Sequence, residues 1–271
     1  GVRVMAAHNL QIVAPWSRGK LIAALTGAAV MVLALVVGLV LAVHSALTGP
    51  LPDAAAATAV VLPLDREERR DVLAAEPMLQ VSRSDSQGGT PAAVPGPVLE
   101  VPASTMIGAG KVASGFPHTP EGAIGQLAAI EVTVLSEMNV ARVVEVWDAW
   151  AADGAGPVEQ WRLMGHVRSF LAAMKMGDVL EQGARVTVTP VAAQTKASDG
   201  PDWTIACVLV DVRAVYRSEA RMAYGYCERM VWDGQRWLIG PGTPPALAPS
   251  TWPGTDLAVE AGWRTWTRAA R

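Results

Sequence analysis

From residue 21 to residue 43 the chain carries no charged side chain (LIAALTGAAVMVLALVVGLVLAV). At ~1.5 Å per residue a helix of that length reaches roughly 35 Å, enough to cross a ~30 Å hydrocarbon core with some tilt. Thr26, Gly27 and Gly38 are the only interruptions, and a helix in lipid tolerates them. The pattern predicts one transmembrane helix. A cleaved signal peptide is the alternative, with an apolar core of only ~7–15 residues; small residues around Ala42 and the alanines at 54–57 leave it open. Within the span, Ala34, Gly38 and Ala42 form a small-residue stripe of the kind that lets helices associate in a bilayer.

Residues 44–117 show no sustained period. They hold nine of the 19 prolines, together with AAAATA and SRSDSQGGTPAAVPGP. Proline removes backbone donors and glycine raises the cost of ordering, so the stretch reads as an extracytoplasmic stalk. Within it residues 65–71 (DREERRD) suit a short solvated helix. The segment 108–113 (GAGKVA) matches G-x-G-x-x-A, but that loop binds a dinucleotide only between a strand and a helix. A proline-rich stretch precedes it here, and the linker reading is preferred.

Periodicity returns at residue 118. Thr119, Pro120 and Glu121 make a helix start with hydroxyl cap, first-turn proline and acid. Ile124, Leu127, Val134, Leu135 and Met138 follow at helical spacing. Asn139 caps a second helix carrying Val143, Trp147 and Trp150. Pro157 opens a third, with Trp161, Met164, Val167, Leu171 and Met174 on one face. The pattern then changes to β-branched runs at 184–192, 203–217 and 221–232. Trp232-Asp233-Gly234-Gln235 is a two-residue hairpin signal, leading to a return strand at 236–239. Ser218-Glu219 is a weaker turn between the long strands. The expected class is α+β: three helices covering one face of a curved antiparallel four-stranded sheet. This domain occupies 118–247, and a tail at 248–271 ends in a helix bearing Val259, Trp263, Trp266 and Ala270.

Charge then sets the orientation. Residues 1–20 carry Arg3, Arg18 and Lys20 and no acid, so a short tail of +3 faces a remainder of −6. Positive charge is retained inside, which places the N-terminus in the cytoplasm and the domain outside a cell membrane. With pI 5.8 and no polybasic run, direct nucleic-acid binding is not expected. Cys207 and Cys227 lie on the two long strands. An oxidising exterior permits a bridge, yet a two-residue turn at Ser218-Glu219 sets Cys207 opposite Met230, with the sulfurs on opposite faces. A one-residue change of register brings them together, so a disulfide and two buried thiols both stay open.

Candidate chemistry is thin. Of four histidines only His166 falls inside a predicted helix of the domain, and no metal-ligand spacing occurs. Asp211, with Arg213 on the face of Cys207, is the acid that would pair with His166 in a pocket. Surface ion pairs are the preferred reading. No catalytic residue, metal ligand or cofactor is therefore assigned. Trp252, Trp263 and Trp266 near the C-terminus are candidate partner anchors, since Trp is enriched in binding hot spots.

The order anchor, stalk, three helices and antiparallel sheet resembles the bitopic assembly components of type IV secretion and conjugation machines. The segment 115–123 (GFPHTPEGA) is similar to one in actinobacterial conjugation membrane proteins related to TcpC, and 18 Arg against four Lys fits a high-GC genome. Mycobacterial-cell-entry-associated proteins share the plan. The resemblance implies an exterior domain of nuclear-transport-factor-two-like fold in a non-enzymatic scaffold. Such a scaffold oligomerises in the lipid bilayer and contacts other channel subunits. An exterior ligand-binding or enzymatic domain of that fold, or an accessory subunit of a lipid transporter, is the alternative.

Overall fold

A computed structural model describes residues 65–269, which belong to one compact unit, Pro63–Arg271. The predicted cytoplasmic tail, the span at 21–43 and the stripe Ala34, Gly38, Ala42 lie outside the described residues. Among those described, no helix is long and apolar enough to cross a membrane.

The chain is α+β, with a mostly antiparallel sheet. In chain order the elements are helix α1 (Arg66–Ala75), strands β1 (Val98–Val101), β2 (Met106–Ile107) and β3 (Ala113–Ser114), then helices α2 (Pro120–Glu137), α3 (Val140–Trp150) and α4 (Arg162–Ala173). Strands β4 (Arg185–Ser198), β5 (Trp203–Tyr216), β6 (Ser218–Trp232) and β7 (Trp237–Ile239) follow, then helix α5 (Asp256–Glu260) and strand β8 (Arg264–Arg268). The main sheet runs β1-β8-β4-β5-β6-β7, and β2 and β3 form a separate hairpin. Among these strands β1 and β8 pair in parallel and the other pairs are antiparallel.

Caps place the helices where the residue types demand. Thr119 accepts from the Gly122 amide, with Pro120 at the first helical position. Asn139 accepts from the Arg142 amide. α2 is apolar nearly all round, and a helix of that kind must be covered on most sides. It packs on β4 and β5, against α3 and α4, and against the β2/β3 hairpin. Gln126, buried on α2, donates to the Ala113 carbonyl and accepts from Ser114, which ties that hairpin down.

The alternation of β5 and β6 supplies two cores rather than one. Ala206, Val208, Val210, Tyr226 and Met230 face α2–α4. Ile205, Cys207, Leu209, Ala223 and Cys227 face the other way, onto Ala74, Ala258, Ala261 and Trp263. The expected cover of three helices on one face is thus incomplete: along Trp203–Val210 and Ala223–Met230 both faces are buried, while the end of the hairpin stays exposed.

The second cover comes from segments read as stalk and tail. The Asp65 capping box starts α1, and Lys196 Nζ donates to the Ala74 and Glu76 carbonyls at its far end. Arg70 bonds Asp199 at 3.0 Å. The Arg229 guanidinium, 1% exposed, donates to Asp71 and to the Thr243 carbonyl. From residue 65 onward the stretch is therefore part of the domain, because its few apolar residues and its charges find partners on the sheet. The C-terminal helix is likewise shorter than its apolar spacing predicts. It ends at Glu260, Gly262 takes φ 83°, and the remaining residues extend as β8 beside β1.

Two turns differ from expectation. Asp233-Gly234 lies in a four-residue loop closed by the pair Trp232–Trp237, with Asp233 Oδ1 accepting from the Gln235 and Arg236 amides. Between β5 and β6, Tyr216 pairs with Ser218, so the turn centres on Arg217, at φ 55°. That centre moves the register by three residues from the two-residue turn, and Cys207 lies opposite Cys227.

Candidate functional site

Each sequence-derived candidate has a definite place. The GAGKVA segment is the turn between β2 and β3; Gly110 and Lys111 take positive φ, and the Ala109 and Gly110 carbonyls accept from Trp150 and Arg142. It does not lead from a strand into a helix, the context a dinucleotide needs. His166 and Asp211 are not brought together. His166 Nδ1 is hydrogen-bonded to the Tyr224 hydroxyl at 2.6 Å on the helix side of the sheet. Asp211, three positions beyond Val208 on β5, faces the opposite side and holds Arg221 through bonds of 2.9 and 2.5 Å. Arg213 pairs with Glu219 next to it, so these charges form a surface ladder.

Cys207 and Cys227 are joined by a disulfide with a Cα separation of 4.0 Å. The bond links the two central strands on the face covered by α1 and the C-terminal segment. Of the three tryptophans, Trp263 is buried and donates to the Pro249 carbonyl at 3.0 Å. Trp252 packs on the second core under Arg221, 5.0 Å from its ring centre. Trp266 is half-buried beside an apolar groove.

One buried cluster of ionisable groups is not marked by any sequence motif. On β6, Tyr224, Tyr226 and Glu228 alternate toward the helices and meet Glu131 from α2 with His166, Trp161 and Arg162 from α4 and its approach. Trp161 Nε1 donates to Tyr226 at 3.0 Å and to Glu228 at 3.2 Å, while Tyr226 donates to Glu228. Glu228 also accepts from the Arg229 amide. Burial pushes the Glu228 carboxyl up, against the opposing pull of these donors. Glu131 is 0% exposed, and neither carboxyl oxygen has a partner. Burial alone raises its pKa well above the usual carboxylate range. Both tyrosines are raised by burial and then by the neighbouring glutamates. His166 is lowered, by burial first and then by Arg162.

Burial biases both carboxyls of this interior toward their protonated forms. The signal was present in the sequence, since Glu131 falls four residues after Leu127 and three before Val134 on the buried stripe. Access is narrow. The cleft reaching Glu228, between Trp147, Trp161 and Arg162, has a volume of about 70 Å³. Around it Trp147, Trp150, Met164 and Met230 fill the helix side of the sheet. Among the described residues no cluster of His, Cys, Asp and Glu has the form of a metal site.

Comparison of the chain with models of known families, with curated proteins and with solved structures finds no match.

Proposed function

We propose that this chain is a non-enzymatic, single-pass membrane scaffold subunit of a conjugative, type IV secretion-like DNA-transfer apparatus. In this reading its exterior domain has the nuclear-transport-factor-two-like fold, works outside a cell membrane and assembles with other channel subunits and with copies of itself. One observation carries the reading: the central part of the sheet is covered on both faces by the chain's own side chains. What such a domain offers to other molecules is its outer surface and its strand edges. The disulfide across the central strands supports an oxidising, exterior location. The helix start at Thr119 and Pro120, within the segment that resembles conjugation proteins, adds the link to transfer machines. Deletion of the gene abolishes transfer of the element and a plasmid-borne copy restores it; an unchanged transfer frequency refutes the reading.

A second reading, an exterior ligand-binding or enzymatic domain, is favoured by the Glu131, Tyr224 and His166 cluster. Under that reading Glu131→Gln abolishes function while leaving the protein at normal abundance. Under the scaffold reading the variant supports full transfer.

A further inference from the structure

The main sheet is not continuous across its width. β8 meets β4 at only two positions, Ala192 opposite Thr265 and Ala193 opposite Arg264. A bulge between Pro190 and Ala192 bends β4 at that point. Residues 185–190 pair with β5 on one side, and with no strand on the other among the described residues. Pro190 has no N–H, so it suits a ladder where its nitrogen faces away from the neighbouring strand. By the alternation of an antiparallel ladder, Val186 and Val188, 6% and 7% exposed, then turn their N–H and C=O groups to the same unpaired side. A row of this kind is a template for one more strand.

The surroundings of that edge differ on its two faces. On the helix side runs a groove of about 630 Å³, lined by Phe116, Ala128, Ala129 and Val132, with Trp266 across it and Arg268 as its one charged residue. On the other side Thr187 and Thr189 border a depression of about 410 Å³ shared with the Asp211 and Arg221 ladder. A strand laid along this edge points successive side chains into apolar and then charged surroundings.

We propose that the outer edge of β4 takes an extended segment of a partner protein by strand addition. The segment it fits is aliphatic at alternate positions, polar between them, and carries an acidic group opposite Arg268. The open backbone row sets the strand mode, the two unlike depressions set the alternation, and Arg268 sets the charge. The inference stands apart from the transfer apparatus, because binding is read on the purified protein.

The full-length chain in lipid nanodiscs is titrated with a fluorescein-labelled hexapeptide alternating valine and threonine after one glutamate. A peptide of the same composition with its valines contiguous is the comparison. The alternating peptide gives saturable anisotropy and binds about tenfold more tightly than the other, as a mode reading side chains face by face requires. At saturation, hydrogen exchange slows at the Val186 and Val188 amides. Arg268 is exposed and makes no ion pair among the described residues, so Arg268→Glu keeps the fold, checked by unchanged tryptophan fluorescence. That variant binds the acidic peptide about fivefold more weakly, as one exposed ion pair allows, and prefers a version with lysine for glutamate. Equal affinity for the two arrangements, no saturable binding, or unaltered exchange at Val186 and Val188 overturns the proposal. So does saturable binding of dodecanoate in place of the peptide, which makes the groove a lipid site. Self-association that Arg268→Glu abolishes also overturns it, because the occupant is then a second copy.

Discussion

Replacing Glu131 tests the physical reading of the interior most directly. The unfolded chain releases this proton near pH 4.3, while the folded chain holds it to higher pH, because burial raises the folded pKa. The side chain's contribution is therefore fully present below about pH 4.3. It is lost as pH rises through the folded pKa, at about 1.4 kcal/mol for each pH unit. Glu228, also raised by burial, acts in the same direction. His166 acts oppositely, since its folded pKa is lowered; its contribution is lost as pH falls below about 6.5. In Glu131→Leu the carboxyl slope disappears, and so does the penalty for a buried polar group without a partner, about 1–3 kcal/mol. Urea unfolding of the full chain, followed by tryptophan fluorescence at pH 5, 6 and 7, measures both. The wild type loses stability across this range relative to the variant, and the variant is the more stable at pH 7. Glu131→Gln flattens the slope as well while keeping a polar group in place. Parallel stability curves for the three proteins refute a Glu131 whose pKa burial has raised.

Three further outcomes follow from other parts of the fold. Reduction of Cys207–Cys227, or Cys227→Ser, lowers stability by about 3 kcal/mol for a loop of 20 residues; thiol titration of the denatured, unreduced protein finds no free thiol, and two thiols refute the bridge. Asp71→Ala leaves the buried Arg229 guanidinium with carbonyl partners alone. Because Asp71 is about half exposed, the loss is about 1–2 kcal/mol, below the ~3–5 of a fully buried pair, and protease cleavage near α1 speeds up in step. Gly122→Ala destabilises although alanine is the better helix former by about 1 kcal/mol. A Cβ at Gly122 meets the Pro117 carbonyl at 1.9 Å, and such overpacking costs about 1–3 kcal/mol. At Gly125 the obstacle is the Phe116 ring at 2.5 Å, a side chain able to move, so Gly125→Ala costs less; the reverse ranking in thermal unfolding contradicts the packing argument.

The parts of this fold legible in sequence are those fixed within a few residues. Thr119 and Asn139 cap helices through bonds three residues away, with Pro120 at the first helical position, and β-branched runs mark the long strands wherever they pair. What was hidden depends on distant partners. Residues 65–90 read as a tether because charge is frequent in them and they sit inside a longer proline-rich stretch, yet the partner of Asp71 is Arg229, 158 positions on. The C-terminal residues have the spacing of a helix, but Gly262 and the free edge of β1 draw them into a strand. The disulfide was undecided for a still smaller reason. A turn centred on one residue, Arg217, instead of two shifts every pair along β5 and β6, and nothing local in Tyr216-Arg217-Ser218 announces it. Glu131 is the reverse case, visible as an acid on an apolar stripe but without meaning until Tyr224 and His166 arrive from other elements. A single sequence therefore exposes where a charge is out of place before it exposes what that charge faces. Each such residue is a point at which tertiary structure has overridden a local preference, and in this domain those points lie on the two faces of the same central strands.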